Sequence, residues 1–153
     1  MGAPLIVTTW NTQWATPNTG RGHRVAAKLK ATESGVIVFT EGVNELLPEG
    51  GQAVDAGADW GYAPEPDRRK VIVWTRFPLS LETVAHKGAA LGRLAVAVAS
   101  TPEGVVRIIG SAFPGGTHTS VPAAQMPVRG LNICITLTGS KTCWGHSTRP
   151  YPP

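Results

Sequence analysis

The sequence predicts a mixed α/β fold of the α+β sandwich type, and three features of it carry that expectation. Its opening reads strand, helix, strand. A series of short β-branched runs follows, separated mostly by Pro or Gly, as in a meander. The chain of 153 residues is 42% hydrophobic, enough for one domain with a single core.

Residues 4–10, PLIVTTW, are a β-branched and aromatic run suited to a strand, and the run ends at the polar cluster Asn11, Thr12, Gln13. Residues 22–33 place Val25, Ala26 and Leu29, and less clearly Lys30, at helical spacing, with basic residues on the other side. Residues 36–40, VIVFT, are an uninterrupted apolar run of the kind found in a strand covered on both faces, and they end in Glu41 and Gly42. Further candidate strands are 60–63, 70–76, 93–99 and 105–109.

A formal net charge of +4 is compatible with a phosphate-bearing partner, although ordinary basic solubility accounts for it as well. No apolar run approaches the roughly 18 residues of a membrane span, and the first residues lack a basic segment followed by an apolar stretch and a cleavage site. The expectation is a soluble, cytoplasmic protein with no membrane partner. Cys134 and Cys143 are too few for a disulfide framework and stand at no zinc-ligand spacing, so they read as free thiols.

Beyond Gly110 the composition changes. All 10 acidic residues precede that point, whereas Arg129, Lys141, Arg149, six of the 13 prolines and both cysteines follow it. Within this tail only 131–137, LNICITL, looks like structure, and a disordered appendage over 111–153 is the expectation.

Asn11 and Glu41 fall at the ends of neighbouring apolar strands, where α/β sheets commonly bind ligands; on their own they also suit a turn Asn and a solvated Glu. The residues around them add to this. TTWNTQW (8–14), the amphipathic helix, VIVFTEG (36–42), RRKVIVWTRFPL (68–79) and GRLAVAVAS (92–100) resemble, in order and spacing, the opening of the endonuclease/exonuclease/phosphatase superfamily. The resemblance covers residues 4–110. It implies the DNase-I-like fold, a four-layered two-sheet domain of which this chain would hold the N-terminal half. It also implies a phosphoester hydrolase in which Glu41 coordinates Mg2+ (or Mn2+) and Asn11, a catalytic residue, hydrogen-bonds the scissile phosphate or a metal-bound water. Mg2+ is a hard cation that prefers carboxylate oxygen and retains several waters. Arg68, Arg69 and Lys70 can touch phosphate, with Arg69 and Lys70 the candidates, while a solvated turn before a strand is their ordinary role.

In the family, the attacking water is positioned by an Asp and a His from a later Gly-Asp-x-Asn strand end and a near-terminal Asp-His pair. Neither motif occurs in this chain. The genetic code offers a reason. If every codon from Ser111 to Thr119 begins one base earlier, the codons allow V-C-I-P-W-R-D-A-H, similar to the family's next strand and loop. The same frame allows G-R-T-D-A-R-P-W-x-E-H-L over 123–133 and an acidic amphipathic helix over 137–149. The expectation is therefore a family domain over 1–110 and a frameshifted tail over 111–153, with an apolar face left uncovered and the chain marginal in stability. The function implied is a Mg2+-dependent phosphodiesterase or phosphatase acting on nucleic acid or a smaller phosphoester, truncated and inactive as written. The alternative is a non-catalytic binding module whose basic tail contacts nucleic acid or protein. Such contacts usually need a denser basic patch than this tail has.

Overall fold

The computed structural model describes residues 4–61, 63, 65–82, 91–112, 130–137 and 140–147, with backbone alone for 91 and for 130 onward. The opening is as expected: strand β1 (Val7–Asn11), helix α1 (Gly20–Ala31) and strand β2 (Val36–Gly42). β1 and β2 lie parallel, Val7 beside Val36 and Asn11 beside Thr40, as a helical crossover requires. Strands β3 (Gln52–Asp55) and β4 (Arg69–Thr75) complete a sheet in the order β1-β2-β4-β3, β4 running antiparallel to both neighbours.

The second sheet is an antiparallel meander of β5 (Leu79–Leu81), β6 (Leu94–Thr101), β7 (Gly104–Ala112), β8 (Gly130–Leu137) and β9 (Ser140–Ser147). Here the structure corrects the expectation of a wholly disordered tail. Ser111 and Ala112 finish β7, and β8 pairs with it from Val106 beside Leu137 to Ala112 beside Leu131. The β-branched alternation of LNICITL lets it extend the sheet. Residues 113–129 and 148–153 lie outside the described residues.

Alternation within the first sheet explains its central position. Val36, Val38, Val71 and Val73 point to one side and pack on Ala95, Ala97, Ala99, Val106 and Ile108 of the second sheet. Ile37, Phe39, Ile72 and Trp74 point to the other and pack on Val25 and Leu29 of α1 and on Ala15, Val43 and Leu46. β2 is thus covered on both faces, and each of its fully buried apolar side chains contributes about 1.5–3 kcal/mol. Gly110 sits where a Cβ would come within 2.8 Å of the Val71 side chain, so a residue without one lets the two sheets close.

α1 starts two residues earlier than the periodicity suggests because Thr19 caps it, its Oγ1 accepting from Gly22 N at 3.0 Å. It ends at Thr32, after which Glu33 turns left-handed (φ 50°). Lys30 is exposed rather than part of the buried face. The expected strand at 60–63 is also corrected. Trp60 lies in a bend between Asp59, whose Oδ1 accepts from Gly61 N, and left-handed Gly61 (φ 90°). Asp59 O accepts from Gly92 N and Trp60 O from Arg93 Nε, tying the bend to the 3-10 turn (Leu91–Arg93) that leads into β6.

Candidate active site at one end of the first sheet

The parallel register brings Asn11 and Glu41 to the same end of the first sheet, and antiparallel β4 begins there. Gly42 faces Arg69 and Thr40 faces Val71, so Lys70 stands across from Glu41. Lys70 Nζ donates to Glu41 Oε1 at 2.8 Å. Arg69, one residue along the strand and so on the opposite face, donates through Nε to Asp55 Oδ1 at 3.1 Å and through Nη1 to Pro66 O at 2.7 Å. Of the two basic candidates, the structure brings Lys70 to the site and engages Arg69 in holding β3 and the preceding turn.

The backbone at this corner is irregular. Gln13 (φ 49°), Trp14 (φ 60°) and Glu41 (φ 54°) all adopt left-handed conformations, each costing about 1–2 kcal/mol in a residue with a Cβ. The surrounding bonds that enforce them are specific. Thr12, fully buried, donates through its N to Thr40 O at 2.9 Å and through Oγ1 to Glu41 O at 2.7 Å. Trp14 N donates to the same Glu41 carbonyl at 2.7 Å. Asn11 Oδ1 accepts from Gln13 N at 2.9 Å, closing a turn, while its Nδ2 donates to no group among the described residues. Strain of this kind persists where the surroundings over-determine it, and it concentrates at functional positions.

The ring of Trp14 gathers the remaining charge. Its centroid lies 4.9 Å from Lys70 Nζ and 5.3 Å from the Arg68 guanidinium carbon, and 5.6 Å from the ring of Trp60, which is tilted by 32°. Arg68 also pairs with Glu65 at 2.7 Å. Arg21, from the first turn of α1, donates to Gln13 Oε1 at 2.5 Å. The helix is held against this loop by Gly22, where a Cβ would lie 1.8 Å from Thr16 O. Thr12, Trp14 and Trp60 were not foreseen as site residues. The string TTWNTQW names the first two, but only the left-handed turn reveals what they hold.

No group of three or more His, Cys, Asp or Glu able to hold a metal occurs among the described residues. Glu41 offers a single carboxylate, whose Oε2 accepts from no protein group among them. That donor set fits a hard cation that keeps most of its water and takes one carboxylate together with phosphate oxygens. A cavity of about 270 Å³ elsewhere, beside Trp74, Leu29 and Arg76, lacks such convergence, because Arg76 is spent on the carbonyls of Glu33 and Ser34. No helix among the described residues is long and apolar enough to cross a membrane.

No family model matches the chain, and no curated protein does. Among solved structures, the endonuclease domain of TRAS1, a telomere-specific non-LTR retrotransposon, is similar at a TM-score of 0.47 and 10% identity over 73% of this chain. The match takes in 47% of that domain, so the chain spans about half its length.

Proposed function

We propose that the corner formed by β1, β2 and β4 is the phosphoester site of a metal-dependent phosphodiesterase or phosphatase of the endonuclease/exonuclease/phosphatase kind. The observation that carries this reading is convergence. Asn11, Glu41 and Lys70, from three strands, meet at one sheet end on a backbone held left-handed at Gln13, Trp14 and Glu41.

Each residue has a role its chemistry supports. Glu41 holds Mg2+ or Mn2+, and a bound cation supplies charge stabilisation at the phosphoryl oxygens. Asn11, its Oδ1 fixed by Gln13 N, presents Nδ2 as a donor to a phosphoryl oxygen. Lys70 and Arg68, gathered at Trp14, offset phosphate charge from the side. The sequence contains no Gly-Asp-x-Asn or Asp-His motif to position a water, so the chain as written binds a phosphodiester and turns it over slowly or not at all. Nucleic acid and smaller phosphoesters both present the group this corner recognises.

The same proposal extends to the coding frame, with a family domain over 1–110 and a shift after Gly110. Resequencing the gene across the codons for Ile108 to Phe113 and onward tests it directly. A missing base, or a shifted frame running into Gly-Asp-x-Asn and Asp-His, supports the reading; a confirmed frame without that continuation removes it.

The site is tested by equilibrium binding of a fluorescein-labelled oligodeoxynucleotide with and without Mg2+. Binding strengthened by Mg2+ and weakened about tenfold or more in Asn11→Ala supports the assignment. Binding that depends on salt but is indifferent to both Mg2+ and Asn11 favours the non-catalytic binding module instead.

A further inference from the structure

We propose that Lys70 is a resident, exchangeable cation at Glu41. In the metal-free protein its ammonium neutralises the carboxylate, and a divalent cation arriving there displaces it toward the phosphate of the ligand. The inference rests on the reading of Glu41 as the metal carboxylate and adds how that carboxylate is kept until metal arrives.

The pair is not an ordinary surface ion pair. The Lys70 and Glu41 side chains are 13% and 27% exposed, and the 2.8 Å contact is made on one carboxylate oxygen alone. Among the described residues the other acids near the corner have their own partners, Asp55 in Arg69 and Glu65 in Arg68. An ammonium is a compact point charge on a flexible stem, able to move while its root stays fixed in β4. A hard dication and an ammonium on one carboxylate repel each other even when each takes its own oxygen, so entry of one loosens the other.

The structure also provides a place for the displaced charge. Lys70 Nζ already lies 4.9 Å from the Trp14 ring centroid, where the ring face attracts a cation whether or not Glu41 holds it. Arg68 is 5.3 Å from the same centroid but is already paired with Glu65 at 2.7 Å, so the released ammonium is the cation at this ring that an anionic ligand can take up without breaking another ion pair. Two consequences follow. Metal binding to the free protein is weakened by competition with Lys70. Metal and phosphodiester bind cooperatively, because the phosphodiester gives the displaced ammonium a new partner.

The full chain is titrated with MgCl2, by calorimetry and by tryptophan emission, with and without dimethyl phosphate. Lys70→Met and Lys70→Gln are each expected to bind Mg2+ about five- to tenfold more tightly than the unaltered chain and to lose most of the enhancement by dimethyl phosphate. In the unaltered chain Mg2+ shifts tryptophan emission as the ammonium moves relative to Trp14, and the shift disappears in Trp14→Phe. Mg2+ affinity unchanged or weakened in both Lys70 variants overturns the exchange, as does emission that ignores Mg2+ while calorimetry shows it bound. Glu41→Gln separates the two readings: if it binds Mg2+ as well as the unaltered chain, the metal assignment itself fails and the exchange fails with it.

Discussion

The two sheets share one core yet differ in regularity. The second is a meander in unbroken antiparallel register, and its β7 alternates: Val106 and Ile108 are buried toward the first sheet, while Val105 and Arg107 are exposed. The first is covered on both faces and breaks its regularity at one end, where three residues with side chains turn left-handed and a buried threonine ties the loop to the strand. The part of the first sheet that holds the fold is thus separate from the end proposed to act. The apolar centre of β2 holds the fold, and that rigidity is what maintains an unfavourable backbone at its tip.

The largest effect comes from emptying the core between the first sheet and α1, where Phe39 is fully buried. Phe39→Ala should destabilise the protein by about 3–5 kcal/mol, whereas Val105→Ala, on the outer face of the second sheet, should stay within about 0.5 kcal/mol. Urea denaturation followed by circular dichroism reads both. Next in size is Gly22→Ala, expected to cost about 1–3 kcal/mol because the added methyl meets the Thr16 carbonyl and pushes α1 off the loop carrying Gln13 and Trp14. Thermal unfolding checks the loss, and weaker oligonucleotide binding should accompany it.

A smaller effect sharpens the contrast at the site. Thr12→Val keeps the shape of the buried side chain but removes its bond to Glu41 O, which still accepts from Trp14 N, for an expected loss of about 0.5–1.5 kcal/mol. The smallest separates two left-handed glutamates. Glu33 ends a helix, where a left-handed residue is an ordinary stop, and Glu33→Gly should stabilise by up to about 1 kcal/mol with ligand binding unchanged. A comparable gain at Glu41, accompanied by loss of binding, marks strain retained for function.

Much of this was legible in the sequence. The runs at 4–10 and 36–40 and the periodicity of α1 fix the strand-helix-strand opening because apolar spacing reports directly on which faces are covered. Asn11 and Glu41 could be singled out because each ends such a run in a polar residue. β3 and β5 were not foreseen: QAVD and LSL are short edge strands without an apolar pattern, formed because a longer neighbour offers them backbone partners. The reversal of Arg69 and Lys70 follows from strand alternation, but which of them meets Glu41 depends on the pairing of β4 with β2, and that register is a tertiary fact. The association of Trp14 with Trp60 joins residues far apart in the chain through two irregular turns, and no local pattern reports it.

We propose that Glu41 is held in a strained conformation because it serves as a cation-binding carboxylate. Thermal unfolding of Glu41→Gly and Glu41→Gln, each with and without Mg2+, tests this most directly. Glu41→Gln retains the left-handed side chain and loses the charge; Glu41→Gly loses both. The account expects Glu41→Gly to be more stable than Glu41→Gln by about 1 kcal/mol, and both to lose the stabilisation by Mg2+ that the unaltered chain shows. Equal stability of the two variants together with an undiminished response to Mg2+ would contradict it.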